Sequence, residues 1–394
     1  MATVATPPPE IAAPRSLPLW LSNAIAQGGA LLLAMVIALG LGSIIILLYG
    51  ENPLEVYGTI VSFSFARKDG LAYVLAAATP LIFSALAVSV CFKGGLFNIG
   101  VEGQFLVGML GAATAALYLD FLPGPLMMWA VLVAASLSGM AYAAIPAVLK
   151  VKTGAHEVVT TIMLNGIAIS LVAWALNGPL KLTNAPEGQN VDLRTDPFPK
   201  NALVPDLGHL FGFGTAPKLS WLFPIAIVAA VIIWFVIKRM RLGYEARAVG
   251  AAAGSAQAGG ISIGGIQIKL FLLSGALAGL VGMQQILADA GSLPKNYIAQ
   301  LGFVGIGVAF LGRNNAIGIV FAAILWGILA RGETALQIET DMPREFVIML
   351  QAILIMSVVI TYELARRRLA RRQVREAAAE EFEVEAEVEA GAVG

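Results

Sequence analysis

The residues able to do chemistry in this chain are few and gathered in short stretches. The run Cys91-Phe-Lys-Gly-Gly-Leu-Phe-Asn-Ile-Gly-Val-Glu-Gly-Gln104 sets Phe97, Asn98, Glu102 and Gln104 among Gly94, Gly95, Gly100 and Gly103, where an apolar segment begins. Glycine at that density weakens a helix. Irregular backbone at membrane depth is tolerated only inside protein or beside a water-filled cavity. The stretch is therefore expected to be a broken helix offering backbone and amide groups to a polar solute. A tight turn with close helix packing through small residues is the plainer alternative. A second run, His156-Glu-Val-Val-Thr-Thr-Ile-Met-Leu-Asn165, sends Thr160, Thr161 and Asn165 into an apolar span. Thr161 and Asn165 share one helix face. Either they line a pathway, or Thr161 bonds its own helix backbone while Asn165 bridges two helices.

No catalytic constellation accompanies these residues. His156 and His209 have no partner at metal-ligand spacing, Cys91 is the sole cysteine, and no G-x-x-x-x-G-K-[ST] phosphate loop occurs. The apolar spans hold almost no ionisable group besides Glu102 and, at an outer end, Asp289. Proton-coupled pumps carry relays of such groups. No cofactor is expected, and the energy for movement must arrive from another chain.

The elements that position these groups are membrane helices. The chain is 58% hydrophobic and 13% charged, with a mean hydropathy of +0.81. A soluble domain carries roughly a quarter charged residues. Its 25 basic residues balance 25 acidic ones, so no net field draws nucleic acid and no nucleic-acid partner is expected. The fold class is all-α, a polytopic membrane protein with about ten transmembrane helices, some broken or re-entrant. Apolar runs fall at about 28–49, 71–91, 101–119, 126–149, 158–177, 219–237, 268–287 and 346–364. Between the last two, Arg313, Asn314 and Asn315 divide 301–330 into two short segments, since that polar triplet is costly at mid-depth. Ten crossings put 16 of the 25 basic residues inside, including the arginines of the tail, with both termini cytoplasmic. Residues 1–27 form a cytoplasmic N-terminal extension, 28–364 the membrane domain with a long external loop at about 178–218, and 365–394 a disordered cytoplasmic tail.

An Ala-rich loop at about 238–267 has a basic start, and its centre, Glu245 to Ala258, is expected to form a short surface helix closed by Gly259 and Gly260. Such a helix offers one face to a partner's groove. Arg241, Glu245, Arg247 and Gly250 are its candidate contact residues. Gly275 and Gly279 make a small-xxx-small packing face. Gly302, Gly305 and Gly307, with Phe303 among them, are expected to interrupt a second bilayer segment. Paired glycine-broken segments in the two halves point to a binding site near the midplane.

These stretches also carry a family resemblance. Phe97–Gln104, Glu157–Asn165, Arg247-Ala-Val-Gly250 with Ala258-Gly-Gly-Ile261, Ser274–Gly279 and Gly302–Gly312 resemble the permease subunits of bacterial ABC importers for nucleosides. That group is part of a wider one including ribose and branched-chain amino-acid permeases. The match runs in order from about Leu71 to Glu363, and departs at His156, Gly166 and Ala316. The resemblance implies a non-catalytic translocation subunit in the bacterial inner membrane, surrounded by lipid and working by alternating access. Its implied partners are a cytoplasmic ABC ATPase, a second homologous permease in a heterodimer, and an extracytoplasmic substrate-binding lipoprotein. Phe97, Asn98, Glu102, Gln104, Thr161, Asn165 and Phe303 would line the substrate pathway. Arg241, Glu245, Arg247 and Gly250 would couple to the ATPase. The rival readings are a sugar or branched-chain amino-acid permease and, from another class, an ion-coupled secondary transporter using Glu102.

Overall fold

The computed structural model describes residues 19–67, 69–183, 193–212, 219–297, 300–340, 343, 345–361, 363, 364 and 367. The chain divides into two compact units, residues 1–41 with 356–394, and residues 42–355. Every candidate site residue belongs to the second. Residues 1–18 and the tail beyond 364, Arg367 apart, lie outside the described residues, as do the expectations placed on them.

Among the described residues the structure is all-helical, with no named strand. The helices are α1 (Leu19–Leu48), α2 (Pro53–Phe65), α3 (Gly70–Lys93), α4 (Val101–Tyr118), α5 (Gly124–Thr153), α6 (Glu157–Asn177) and α7 (Leu222–Arg239). There follow α8 (Arg241–Ala251), α9 (Ala253–Ala258), α10 (Ile263–Gly279), α11 (Leu301–Leu311), α12 (Ala316–Glu339) and α13 (Glu345–Thr361). Among the described residues, six spans are long and apolar enough to cross a membrane, and α1 with α2, bent by 115° at their break, make a possible seventh. They bear out a polytopic α-helical protein, without extending to the ten crossings expected.

Within residues 42–355, α3 is the central element, 89% buried along its apolar window. It packs against α10, α11, α12 and α7, while α5 lies between α4 and α10. By contrast α6 and α7 are only 28% buried. They expose Ile162, Met163, Ile167 and Trp174, and Val231, Ile232 and Phe235. Such broad apolar faces are stable only when covered by hydrocarbon or protein. The chain is a multi-pass membrane protein. Where α4, α5 and α10 meet, Gly108, Gly139, Gly275 and Gly279 bring three backbones together. This is the close packing expected at Gly275 and Gly279.

Four features differ from the expectations. First, α2 follows α1 because the Asn52 side chain accepts the Leu54 N–H at 3.0 Å and Pro53 opens the helix. Second, Gly302, Gly305 and Gly307 do not interrupt α11, which is continuous. They are contact points, facing Glu102, Ser84 and Ile355 respectively. The Arg313–Asn315 triplet does form the turn between two helices, with Arg313 and Asn314 at φ 58° and 51°. Third, α10 leads, past a short irregular link, into a π-turn, Gln284–Asp289. Fourth, part of the expected external loop folds onto this end of the bundle. Its short 3-10 helices, Lys200–Ala202 and Gly208–Phe211, are flanked by bonds from Phe198 N–H to Gly291 O (2.8 Å) and Val204 N–H to Leu287 O (3.2 Å). His209 falls in the second of these.

Candidate functional site

The turn between α3 and α4 is closed by amides. Lys93 ends α3, Gly95 takes φ +70°, and Gly100 precedes α4. The Asn98 side chain, 1% exposed, donates to Gln104 Oε1 (3.0 Å) and to Ser274 Oγ on α10 (2.9 Å). Its oxygen accepts from the Gly100 N–H (3.0 Å) and Gln104 Nε2 (3.1 Å). All four bonds available to the Asn98 amide are made inside the protein. Ser274 in turn donates to Ala87 O at 2.7 Å. From α6, Asn165 accepts the Gly103 N–H at 2.8 Å and donates to Ile99 O at 3.1 Å. Thr161 bonds Glu157 O at 2.7 Å, within its own helix. Asn98, Gln104, Ser274 and Asn165 form one buried bracket joining α3, α4, α6 and α10. Thr160 stands apart, bonded to its own helix. Phe97 is half-buried, packed edge-on against Phe92 with ring centres 5.0 Å apart.

Glu102 does a different job. It is 4% exposed, and its carboxylate accepts the Gln300 N–H (2.6 Å) and the Gly302 N–H (2.8 Å). Gln300 immediately precedes α11 and Gly302 lies in its first turn, so the carboxylate meets the positive end of the helix dipole. Gln300 holds a left-handed conformation, φ 71°, to make that approach. Burial and the Glu102 charge raise the Tyr297 phenol above its ordinary pKa. Phe303 sits one residue beyond Gly302 and is exposed, as is Gln300. Glu102→Gln retains one carbonyl acceptor and turns an NH₂ toward the second donor. A lost buried acceptor of this kind costs about 1–3 kcal/mol. Thermal unfolding of the purified chain in detergent is expected to shift down accordingly, while any ATP requirement for uptake stays.

The Ala-rich loop is two helices rather than the single one expected. The break is at Ala252, whose backbone turns extended at φ −157°, ψ 92°. Between α8 and α9 lies a groove of about 460 Å³ lined by Arg241, Tyr244, Glu245, Ala252, Ser255 and Ile261, among others. Arg241 and Glu245 pair at 2.6 Å on its rim. With its Arg241 side almost fully exposed, the pair contributes little stability. Arg247 donates from its guanidinium to the Ile237 carbonyl near the end of α7. Gly250 lies against the Lys93 carbonyl and the Gly95 nitrogen. The far side of α8 therefore touches the same turn that carries Asn98.

Sequence reasoning missed three participants. Ser274 was visible only as a small packing residue, and its bond to Asn98 joins positions 176 apart. Gln284 accepts from Ser220 Oγ at 2.7 Å in the π-turn, beside buried Gln285. The signal available was a Gln-Gln pair inside an apolar run.

Residues 70–359 match the family described as branched-chain amino acid transport system / permease component. Among curated relatives, a glucose ABC transporter permease protein of Haloferax volcanii, TsgB13, is 30% identical, covering 90% of this chain and 91% of its own. A guanosine ABC transporter permease protein of Bacillus subtilis, NupP, is 33% identical over 84% of this chain and 92% of its own. A nucleoside ABC transporter permease protein of Lactococcus lactis subsp. cremoris, NupB, is 30% identical over 84% and 90%.

Proposed function

This chain belongs to the permease-component family of branched-chain amino acid transport systems, and from that membership we propose that it is the translocating subunit of an ATP-driven importer for nucleosides. It is a non-catalytic subunit, with ATP hydrolysis on a separate ATPase. The nucleoside class is supported by the guanosine and nucleoside relatives. A sugar is the second reading, favoured by the glucose relative of comparable identity. In the proposed arrangement the chain makes ten crossings of a bacterial inner membrane with both termini inside. The groove of α8 and α9 seats the ATPase, and a second permease completes the cavity. An extracytoplasmic lipoprotein delivers solute to the opposite face.

The observation that carries this reading is the contact of Gly250 with the Lys93–Gly95 turn. A partner tilting α8 pushes on that turn, and the turn is bonded through Asn98 to Gln104 and Ser274. Small residues and satisfied amides let the bracket move as a unit. The solute itself meets the exposed edge beside the bracket, where Phe303 gives a stacking face and Gln300 an amide. Phe97, Asn98, Gln104, Thr161 and Asn165 shape the wall behind it. Both Glu102 oxygens are engaged by α11, so a coupling ion would have to displace a helix cap.

The test is uptake of a labelled nucleoside by proteoliposomes containing the whole complex. Uptake is expected only with hydrolysable ATP and the cognate ATPase, and to be competed by unlabelled nucleosides but not by glucose. Accumulation under a sodium or proton gradient without ATP would overturn the importer reading, and competition by glucose alone would move the solute to the sugar class.

A further inference from the structure

A cavity of about 70 Å³ opens where the ends of α3 and α7 meet the start of α12. Its walls include Ser89 and Lys93 of α3, Trp234 and Lys238 of α7, and Asn314 and Asn315. One water needs only about 15 Å³ of such space, so the cavity admits a water cluster or a single phosphate-sized group.

Three features of the walls call for a particular occupant. Lys93 is half-buried and shares the cavity wall with the exposed Lys238. Among the described residues neither Lys93 nor Lys238 pairs with a carboxylate. Like charges drawn together at a partly buried position repel unless an anion joins them. In addition, Asn314 Oδ1 is buried without a hydrogen-bond partner, although the residue's backbone carbonyl accepts from Ser89 Oγ at 3.0 Å. An orphan acceptor there asks for a donor. Finally, Lys238 Nζ lies 5.7 Å from the Trp234 ring centre, at the end of a helix whose apolar residues face outward. A tryptophan and lysines at a span's end sit at headgroup level. Lysines near helix C-termini also offset the dipole there, but that leaves Asn314 Oδ1 unexplained.

We propose that this cavity binds the headgroup of an anionic, hydroxyl-bearing phospholipid. The phosphate sits between Lys93 and Lys238, and a headgroup hydroxyl donates to Asn314 Oδ1. A choline headgroup has no hydrogen-bond donor, and an ethanolamine ammonium would meet two lysines. The lipid ties α3, α7 and α12 together two residues from the Gly95 turn on which α8 rests. The inference rests on the membrane assignment and stands apart from the nucleoside reading.

The test uses the purified full chain in detergent, followed by thermal unfolding. Phosphatidylglycerol is expected to raise the melting temperature saturably, while phosphatidylcholine does not. Lys93→Gln and Lys238→Gln each lose most of that rise, and the exposed control Lys152→Gln keeps it. Asn314→Leu binds the lipid but no longer prefers phosphatidylglycerol over phosphatidic acid. An equal rise with phosphatidylcholine, or an undiminished rise in both lysine variants, overturns the proposal. A rise of the same size with glycerol 3-phosphate alone assigns the cavity to a soluble phosphate and overturns the lipid. Because the readout is unfolding, a failure of nucleoside uptake would leave this result unchanged.

Discussion

Gly250→Ala is expected to cut uptake about tenfold or more while leaving the ATPase bound. A methyl group at this position would overlap the Lys93 carbonyl and stand 3.1 Å from the Gly95 nitrogen. Both obstacles are backbone atoms, so no side-chain rotation relieves them. Either α8 lifts from the turn, or the turn shifts and takes the Asn98 bracket with it. Overpacking of this kind costs typically about 1–3 kcal/mol. If that cost falls on one of the two access states, about 1.4 kcal/mol already slows the passage between them tenfold. Gly250 does not line the groove between α8 and α9, so the docking surface keeps its residues. Uptake by proteoliposomes reads the loss, and co-purification with the ATPase shows that the partner remains. Gly254→Ala is the control, since nothing lies within 4 Å of its added methyl. Normal uptake by Gly250→Ala would mean that this contact transmits nothing.

The sequence made the spans legible because a bilayer imposes one coarse rule, an apolar run of sufficient length. The runs at 71–91, 126–149 and 158–177 became α3, α5 and α6 with ends shifted by only a few residues. The polar triplet at 313–315 placed a turn correctly because burying it in lipid costs too much. What the rule does not reach is anything shorter or closed through space. At 13 residues α2 is too short for the span criterion, although Asn52 and Pro53 announce its start. Glycines at 302, 305 and 307 read as helix breakers by propensity, yet tertiary contact decides. Each faces a neighbour too near for a side chain, and α11 stays intact around them. The polar stretches were recognised as one class of residue, but not their pairing. Asn98 closes on Gln104 six residues away and on Ser274 across 176. A list of amides cannot distinguish groups offered to a solute from groups satisfied by one another. The split of the Ala-rich loop at Ala252 leaves no mark in the sequence, because alanine favours helix and Ala252 is exposed among other exposed residues.

Gly279 is the position where substitution is expected to damage the fold most. It stands at the meeting of three helices. A methyl on it would overlap the Ala135 carbonyl of α5, and one on Gly108 of α4 would lie 2.5 Å from the Gly279 Cα. Gly139 closes the seam from α5, with Gly279 Cα 2.8 Å from where its own methyl would be. Bulk added here must separate α10 from both neighbours at once. In lipid such contact is itself a main source of helix association, because the surrounding tails are as apolar as the side chains. Gly279→Val is therefore expected at or beyond the upper end of the overpacking range, about 3 kcal/mol. It should appear as a large fall in the amount of folded protein extracted in mild detergent, and Gly279→Ala as a smaller drop in melting temperature. Gly166, inside α6 with nothing within 4 Å of an added methyl, supplies the opposite case. Gly166→Ala gains helix propensity worth roughly 0.5–1 kcal/mol and should melt no lower than the parent chain. If the two alanine variants melted alike, the three-helix seam would not be what holds α4, α5 and α10 together.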